Sequence, residues 1–242
     1  MDMTTTEKYN TLIEKIPAVF EAGKAQGGGG DNNFWEGFLE GRTDLAYAFY
    51  AWNASAFYPT KNISPVQSGR MFYYFNNTPQ TPFNLKERLE ECGVTIDFSN
   101  SRNVDFMFGG SYVSELPELK FLACTKLVGI FNLCTCLETI EKLVLKEDGT
   151  QTFDAASFNA TALKHITVEG KIGTDVTFQS CPLTVASMKS VITHLVNYSG
   201  TDKAYTYTVK FSDACWEVLE ADSTSPTGTT WAEYVDDLGW NR

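Results

Sequence analysis

The sequence predicts an α/β repeat solenoid with an N-terminal helix and a segment without the repeat at each end. Phenylalanines recur at similar intervals through the middle of the chain. A small residue and then a leucine follow most of these phenylalanines at nearly the same spacing. Short apolar runs of strand length lie between them. Inward positions that recur in this way are typical of stacked coils that share one core.

Five phenylalanines mark the repeat. Phe108, Phe131, Phe158 and Phe178 are separated by 23, 27 and 20 residues, and Phe121 is an additional copy out of register. These intervals fall near the roughly 20–29 residues of a leucine-rich repeat. One coil of this length cannot bury its own apolar face, so we expect each coil to stack on the next.

Local patterns predict the individual elements. Helical spacing of apolar residues indicates helices, and short or alternating apolar runs indicate strands. The predicted helices cover residues 4–25, 84–94, 183–196 and 215–221. The predicted strands are TIDFS, KLVLK, HITVEG and AYTYTVKF, with turns between coils at residues 152–158 and 177–181.

We divide the chain into four segments. Residues 1–30 form a helix and a tether that ends in four glycines, and residues 31–95 form an aromatic-rich N-terminal cap. Residues 96–182 form the solenoid, and residues 183–242 form a C-terminal helix and strand cap. The first segment is either a frayed terminus or an attachment or oligomerisation element. The rings of the cap predict either a packed core or an adhesive surface.

Charge and hydropathy exclude several classes of function. The formal net charge is −11, whereas binding of nucleic acid needs clustered Lys and Arg. No apolar run approaches the roughly 20 residues of a membrane span. The N-terminus lacks a basic region followed by a long apolar region, so we expect no secretory signal. We therefore expect a protein made in a cytoplasm, with its six cysteines reduced.

The pair Cys134 and Cys136 is the first candidate for chemistry, as a metal site, a redox site or part of the core. A zinc site needs four Cys or His ligands, and redox pairs are normally separated by two residues. Cys124 and Cys181 follow a phenylalanine at the same distance as Cys134, which indicates a packing role. Thr161 is predicted to fill the slot of Cys134 in the next coil. The role of Cys136 is left open.

Other reactive residues do not form a recognisable site. His165 is predicted to point outward from a strand, and His194 lies on a predicted helix near Ser187 and Ser190 without the context of a catalytic triad. The paired carboxylates are predicted to be solvated: Glu90 and Glu91, Glu147 and Asp148, and Asp236 and Asp237. We assign no catalytic, cofactor-binding or metal-ligating residue and no cofactor, and we expect no enzyme. A glycan hydrolase is the enzymatic alternative, but no acid/base pair stands out.

The repeat Phe-x-x-Cys/Thr-x-x-Leu-x-x-Ile resembles the BspA-like class of leucine-rich repeats. The wider layout is similar to short leucine-rich-repeat proteins encoded by phages and prophages of gut Firmicutes. The segments that carry this resemblance are FEAGKAQGGGG with FWEGF, RTDLAYAFYAWNASAFYPTKNISP, MFYYF, VTIDFSNSRNVDFMF, LETIEKLVL, ALKHITVEGKIG, SCPLTVASMKSVITHL and GTTWAEYVDDLGWN.

The resemblance implies an irregular BspA-like solenoid and a non-enzymatic protein on the virion, in the tail or baseplate. The expected partners are a protein or glycan on the host cell surface and other virion proteins, the latter through residues 1–30. A homo-oligomer is expected, without nucleic-acid binding or membrane insertion. The alternatives are a purely structural tail or capsid component and a bacterial surface adhesin of the BspA type. The missing secretory signal counts against the adhesin.

Overall fold

The chain forms a parallel β-solenoid. The computed structural model describes residues 42–52, 54, 57–76, 80–222 and 225–242. The helix predicted over residues 4–25 and the glycines at 27–30 lie outside the described residues. The stacked coils confirm the solenoid that the recurring phenylalanines predict.

Strands of successive coils pair in parallel. The strands are β1 (Phe83–Asn84), β2 (Val113–Lys120), β3 (Lys126–Leu127), β4 (Thr139–Val144), β5 (Thr152–Phe153), β6 (His165–Glu169), β7 (Val176–Thr177) and β8 (Val209–Lys210). The main sheet has the order β1-β2-β4-β6, and β3 pairs with β5 and β7 with β8. The two predicted turns are partly strand. Residues 152–153 belong to β5 and residue 177 belongs to β7, and turns follow at 155–158 and 179–180.

The main sheet supplies one wall of the core. Leu116, Ile140 and Ile166 are aligned across β2, β4 and β6, and all three are buried. Leu143 and Val168 form the next buried row. Aligned apolar side chains are stable here because each one packs against its counterpart in the adjacent coil. β4 and β6 confirm the strands predicted at KLVLK and HITVEG.

A stack of phenylalanine rings supplies another part of the core. Neighbouring coils are joined there by backbone hydrogen bonds, for example from the Phe108 N–H to the Ile130 carbonyl, at 3.0 Å. The ring centroids are separated by 5.1 Å for Phe49 and Phe72, 5.3 Å for Phe72 and Phe108, 5.9 Å for Phe108 and Phe131, 5.6 Å for Phe131 and Phe158, 4.3 Å for Phe158 and Phe178, and 5.9 Å for Phe178 and Phe211. The stack extends beyond residues 96–182 on both sides. The division into four segments stays a prediction.

The helices of the described chain begin and end where local signals specify. They are α1 (Leu85–Cys92), α2 (Val185–Thr193), α3 (Asp213–Asp222) and α4 (Trp231–Asp237). The Asn84 side chain caps the N-terminus of α1, and Gly93 ends this helix with a φ of 65°. Thr230 and Glu233 form a capping box at α4. These helices confirm the predictions at residues 84–94, 183–196 and 215–221.

Helix α2 covers the exposed edge of the main sheet. The Ser187 hydroxyl accepts a hydrogen bond from the Ile166 N–H at 2.9 Å. The Ser190 hydroxyl accepts one from the Val168 N–H at 2.8 Å. Two backbone donors of β6 are therefore satisfied without a further strand, which blocks edge-to-edge pairing.

Two predicted strands are wrong in most of their length. In the segment 204–211, β8 is only two residues long, because Tyr205 has a φ of 59° and the preceding residues form turns. In the segment 95–99, Ile96 forms an isolated bridge. Apolar and polar residues alternate in the sequence of these segments for a different reason: inward residues such as Phe98 pack against the ring stack.

The ring stack predicts a large effect of removing one ring. Phe131 is fully buried between Phe108 and Phe158. Phe131→Ala should lower the free energy of unfolding by about 3–5 kcal/mol, because it removes buried apolar surface and leaves a cavity. Urea denaturation measures this change. Leu122→Ala is the matched control, since Leu122 is 43% exposed, and should change stability by about 0.5 kcal/mol or less. A loss below about 1 kcal/mol for Phe131→Ala would contradict the stack.

Candidate binding surface

The cysteine of the repeat is part of the core. Cys134 is fully buried, and its thiol donates to the Phe108 carbonyl of the preceding coil at 2.9 Å. Cys181 makes the same contact to the Phe158 carbonyl at 3.0 Å. Burial raises the pKa of each of these two thiols to about 12. A thiol with such a pKa is a poor nucleophile and a poor metal ligand at neutral pH.

Cys124, Cys136 and Thr161 have environments that differ from those of Cys134 and Cys181. Cys124 is buried, and burial raises the pKa of its thiol. Cys136 is half-buried, and its role stays open. The prediction that Thr161 fills the slot of Cys134 is wrong, because Thr161 is exposed and Ala160 is buried instead. Within the described residues, no three His, Cys, Asp or Glu side chains are grouped so that they could hold a metal ion.

The histidines and serines do not assemble into a catalytic triad. His165 is exposed, which confirms its predicted outward orientation. Nδ1 of His194 lies 2.7 Å from the Ser190 carbonyl oxygen of its own helix. The hydroxyls of Ser187 and Ser190 accept hydrogen bonds from β6. Ser187 and Ser190 therefore lie on one helix face because both bind the backbone of the edge strand β6.

The outer face of the main sheet carries paired charges. Lys142 lies 3.1 Å from Glu118 and 3.3 Å from Glu169, across three adjacent strands. Hydrogen bonds from Lys120 and Lys142 hold the pKa of Glu118 below its ordinary value. Exposed ion pairs of this kind contribute little to stability. This face is ordinary charged surface. Five of the six predicted solvated carboxylates are likewise exposed, and Asp236 is half-exposed.

The turns around the ring stack carry an unusual backbone conformation. In four successive coils, the residue two positions before the stacked phenylalanine and the residue two positions after it both have positive φ. The first row is Tyr47, Arg70, Phe106 and Gly129, and the second row is Ala51, Tyr74, Gly110 and Leu133, with φ between 51° and 66°. Each non-glycine residue in this conformation costs about 1–2 kcal/mol.

Large side chains in these rows form a continuous aromatic surface. The Tyr74 ring lies against Gly110 and the Phe106 ring against Gly129, where any Cβ would collide with the ring. The Tyr73 ring covers Gly109 in the same way. Glycine in one coil therefore makes room for an aromatic ring from the preceding coil.

One cation lies among these rings. The Arg70 guanidinium is 5.5 Å from the centroid of Tyr47, 5.8 Å from that of Tyr73 and 5.6 Å from that of Phe106. Arg70 is exposed, and 40% of Tyr74 is exposed. A hydrogen bond with Tyr74 raises the pKa of Tyr73 to about 12. We call the surface formed by Tyr47, Tyr50, Arg70, Tyr73, Tyr74 and Phe106 the tyrosine–arginine face.

The sequence contains a signal for this face that its aromatic content alone does not show. In the segment MFYYF, Phe72 and Phe75 are fully buried, whereas Tyr73 and Tyr74 lie on the surface. The packed core expected for the aromatic segment is therefore confirmed for Phe72 and Phe75, and the adhesive surface stays a prediction. Within MFYYF, the choice between Phe and Tyr separates core from surface, because a tyrosine hydroxyl needs water or a hydrogen-bond partner.

The chain was compared with protein families, curated proteins and solved structures. No family model, curated protein or solved structure matches the chain. The part of the chain that the structure describes has no helix long and apolar enough to cross a membrane. The fold and its surface define the class of this protein as a parallel β-solenoid with an aromatic turn face.

The packing role of Cys134 predicts low reactivity. At pH 9, a pKa of about 12 leaves about one Cys134 thiol in a thousand ionised. Iodoacetamide should therefore modify Cys134 at least tenfold more slowly than the half-buried Cys136 in the folded protein, as measured by mass spectrometry of peptides. The two rates should become similar in denaturant, which is the control. Cys134 reacting as fast as Cys136 in the folded protein would show that the thiol is accessible.

Proposed function

We propose that this protein is a non-enzymatic binding module of a phage virion, in the tail or baseplate. In this proposal, the tyrosine–arginine face binds a protein of the host cell surface or of the virion. The observation that carries the proposal is the exposed Arg70 among aromatic rings on a rigid surface.

The composition of the face supports binding of a protein. Tyrosine and arginine are enriched among the residues that contribute most to protein interfaces. A tyrosine ring offers a large contact area with few rotatable bonds, and arginine offers several hydrogen-bond donors. Tyr50 and Tyr73 are stacked at 5.8 Å, and Tyr73 and Tyr74 are in contact at 4.3 Å. The rings are therefore held in place before any partner binds, which lowers the entropic cost of binding.

The backbone conformation supports the same conclusion. Arg70 and Tyr74 have φ of 55° and 53°, where glycine would avoid the conformational cost. Strain of this kind concentrates at functional sites. Tyr74 and Phe106 also pack on glycines of the next coil, so part of their role is structural. Ala51 and Leu133 share this conformation, so it belongs to the turns of the coils, and what distinguishes Arg70 is that an exposed cation occupies such a position.

The phage assignment has a different basis. It rests on the resemblance of the ordered segments to leucine-rich-repeat proteins of phages and prophages, and the parallel solenoid is compatible with it. The BspA-like type of repeat has the same basis. Attachment through residues 1–30 and a homo-oligomeric state are parts of the proposal.

Substitutions in the face should weaken binding. Labelled full-length protein is titrated onto a panel of gut Firmicutes and onto phage particles induced from a strain that encodes the chain. Arg70→Ala and Tyr74→Ala should each weaken binding at least tenfold, because hot-spot side chains contribute about 2 kcal/mol or more.

Lys142→Ala is the matched control, since Lys142 lies on the outer face of the main sheet in an exposed ion pair, and it should bind as the wild type does. Thermal unfolding of each variant shows that the fold is retained. Wild-type protein that binds neither cells nor particles would overturn the proposed function. Wild-type binding that both face variants retain would place the interface elsewhere.

A further inference from the structure

A groove runs across the last coils, away from the tyrosine–arginine face. It consists of two adjoining cavities of about 720 Å³ and 510 Å³, which share Gln179 and Lys210. Each cavity falls in the range of about 300–1,000 Å³ that is typical of sites for small ligands. Because they share two lining residues, the two cavities adjoin each other at Gln179 and Lys210.

Both cavities are lined by aromatic rings and polar side chains. Trp216 lines the larger cavity, and Phe153 lines the smaller one. Asp175 lines the smaller cavity, and Gln179 and Lys210 line both. Both rings are partly exposed. Rings beside polar groups suit an amphipathic ligand.

The walls of the groove are held rigidly. Trp216 packs edge-on against Phe211 at 5.3 Å. The Trp240 indole N–H donates to the Val196 carbonyl at 2.7 Å, and the Asn241 side-chain amide donates to the Tyr205 carbonyl at 2.6 Å. The Asn241 amide is therefore positioned by the fold, which reduces the ordering needed at this group when a ligand binds.

The charges of the groove select the class of ligand. Four aspartates, Asp154, Asp175, Asp213 and Asp236, face two cations, Lys210 and Arg242. Arg242 is already paired with Asp236 through two contacts of 3.2 Å. The surplus of carboxylates disfavours an anionic ligand. It suits a ligand with many hydroxyl donors, because a carboxylate accepts hydrogen bonds through two oxygens.

We infer that this groove binds a neutral oligosaccharide. The apolar C–H face of a pyranose packs against an aromatic ring, and its hydroxyl groups pair with carboxylate and amide side chains. Phe153 and Trp216 supply the rings, and Asp175, Gln179 and Asn241 supply the polar partners. This inference goes beyond the proposed function, since it concerns another surface and holds whether or not the chain is part of a virion.

The test uses purified full-length protein and soluble sugars. The probes are an array of neutral glycans, with maltotetraose, cellotetraose and the N-acetylglucosamine tetramer in solution, and sialyl-lactose and a heparin tetrasaccharide as anionic contrasts. Binding is measured by tryptophan fluorescence and by saturation-transfer NMR. We expect at least one neutral glycan to bind with a Kd below about 1 mM, more tightly than either anionic sugar.

Two substitutions locate the site. Trp216→Ala and Gln179→Ala should each weaken binding of that glycan at least fivefold. Gln179 is exposed, so its variant remains informative where Trp216→Ala destabilises the fold. Lys142→Ala on the main sheet should bind as the wild type does. Absence of binding to every neutral glycan, tighter binding of the anionic sugars, or binding that a folded Gln179→Ala variant retains in full would overturn the inference. Because no cell or particle is used, such a result is distinct from failure of the tyrosine–arginine face.

Discussion

The stacking of one phenylalanine ring on the next is the interaction on which the rest of this structure depends. A single coil cannot bury its apolar face, so its stability comes from its two neighbours. Fully buried rings from Phe49 to Phe211 form this contact from coil to coil, with the last ring 5% exposed. The thiols of Cys134 and Cys181 follow the same register, since each donates to the carbonyl of a stacked phenylalanine in the preceding coil.

The same constraint shapes the surface. Around the four rings Phe49, Phe72, Phe108 and Phe131, the turns place the residues two positions before and after the ring in the left-handed conformation. Tyr74 and Phe106 at these positions lie on glycines of the next coil. Where the residues at these positions are tyrosine and arginine, they form the tyrosine–arginine face, which we propose as the binding surface. The groove of the last coils is lined in part by Phe211, the last ring of the stack.

Much of the core could be predicted from the sequence, because the recurring phenylalanines indicate which residues of successive coils are aligned. Phe131 and the strands near residues 139–144 and 165–169 follow from it. The stacked positions of Phe72 and Phe211 could not be predicted in this way, since 36 residues separate Phe72 from Phe108 and 33 separate Phe178 from Phe211. Each interval contains an inserted helix, α1 or α2, which hides the repeat. The tyrosine–arginine face could be predicted only in part. The two tyrosines of MFYYF indicate surface rings, but the left-handed backbone at Arg70 and Tyr74 has no signal in composition.

A double-mutant cycle on neighbouring rings tests the stacking most directly. Phe131→Leu and Phe158→Leu remove two rings whose centroids are 5.6 Å apart. Because these rings are in contact, the account predicts that the two effects on the free energy of unfolding deviate from additivity by at least about 0.5 kcal/mol. The separated pair Phe72→Leu and Phe178→Leu should be additive within about 0.5 kcal/mol. Additive effects for Phe131 and Phe158 would contradict the account.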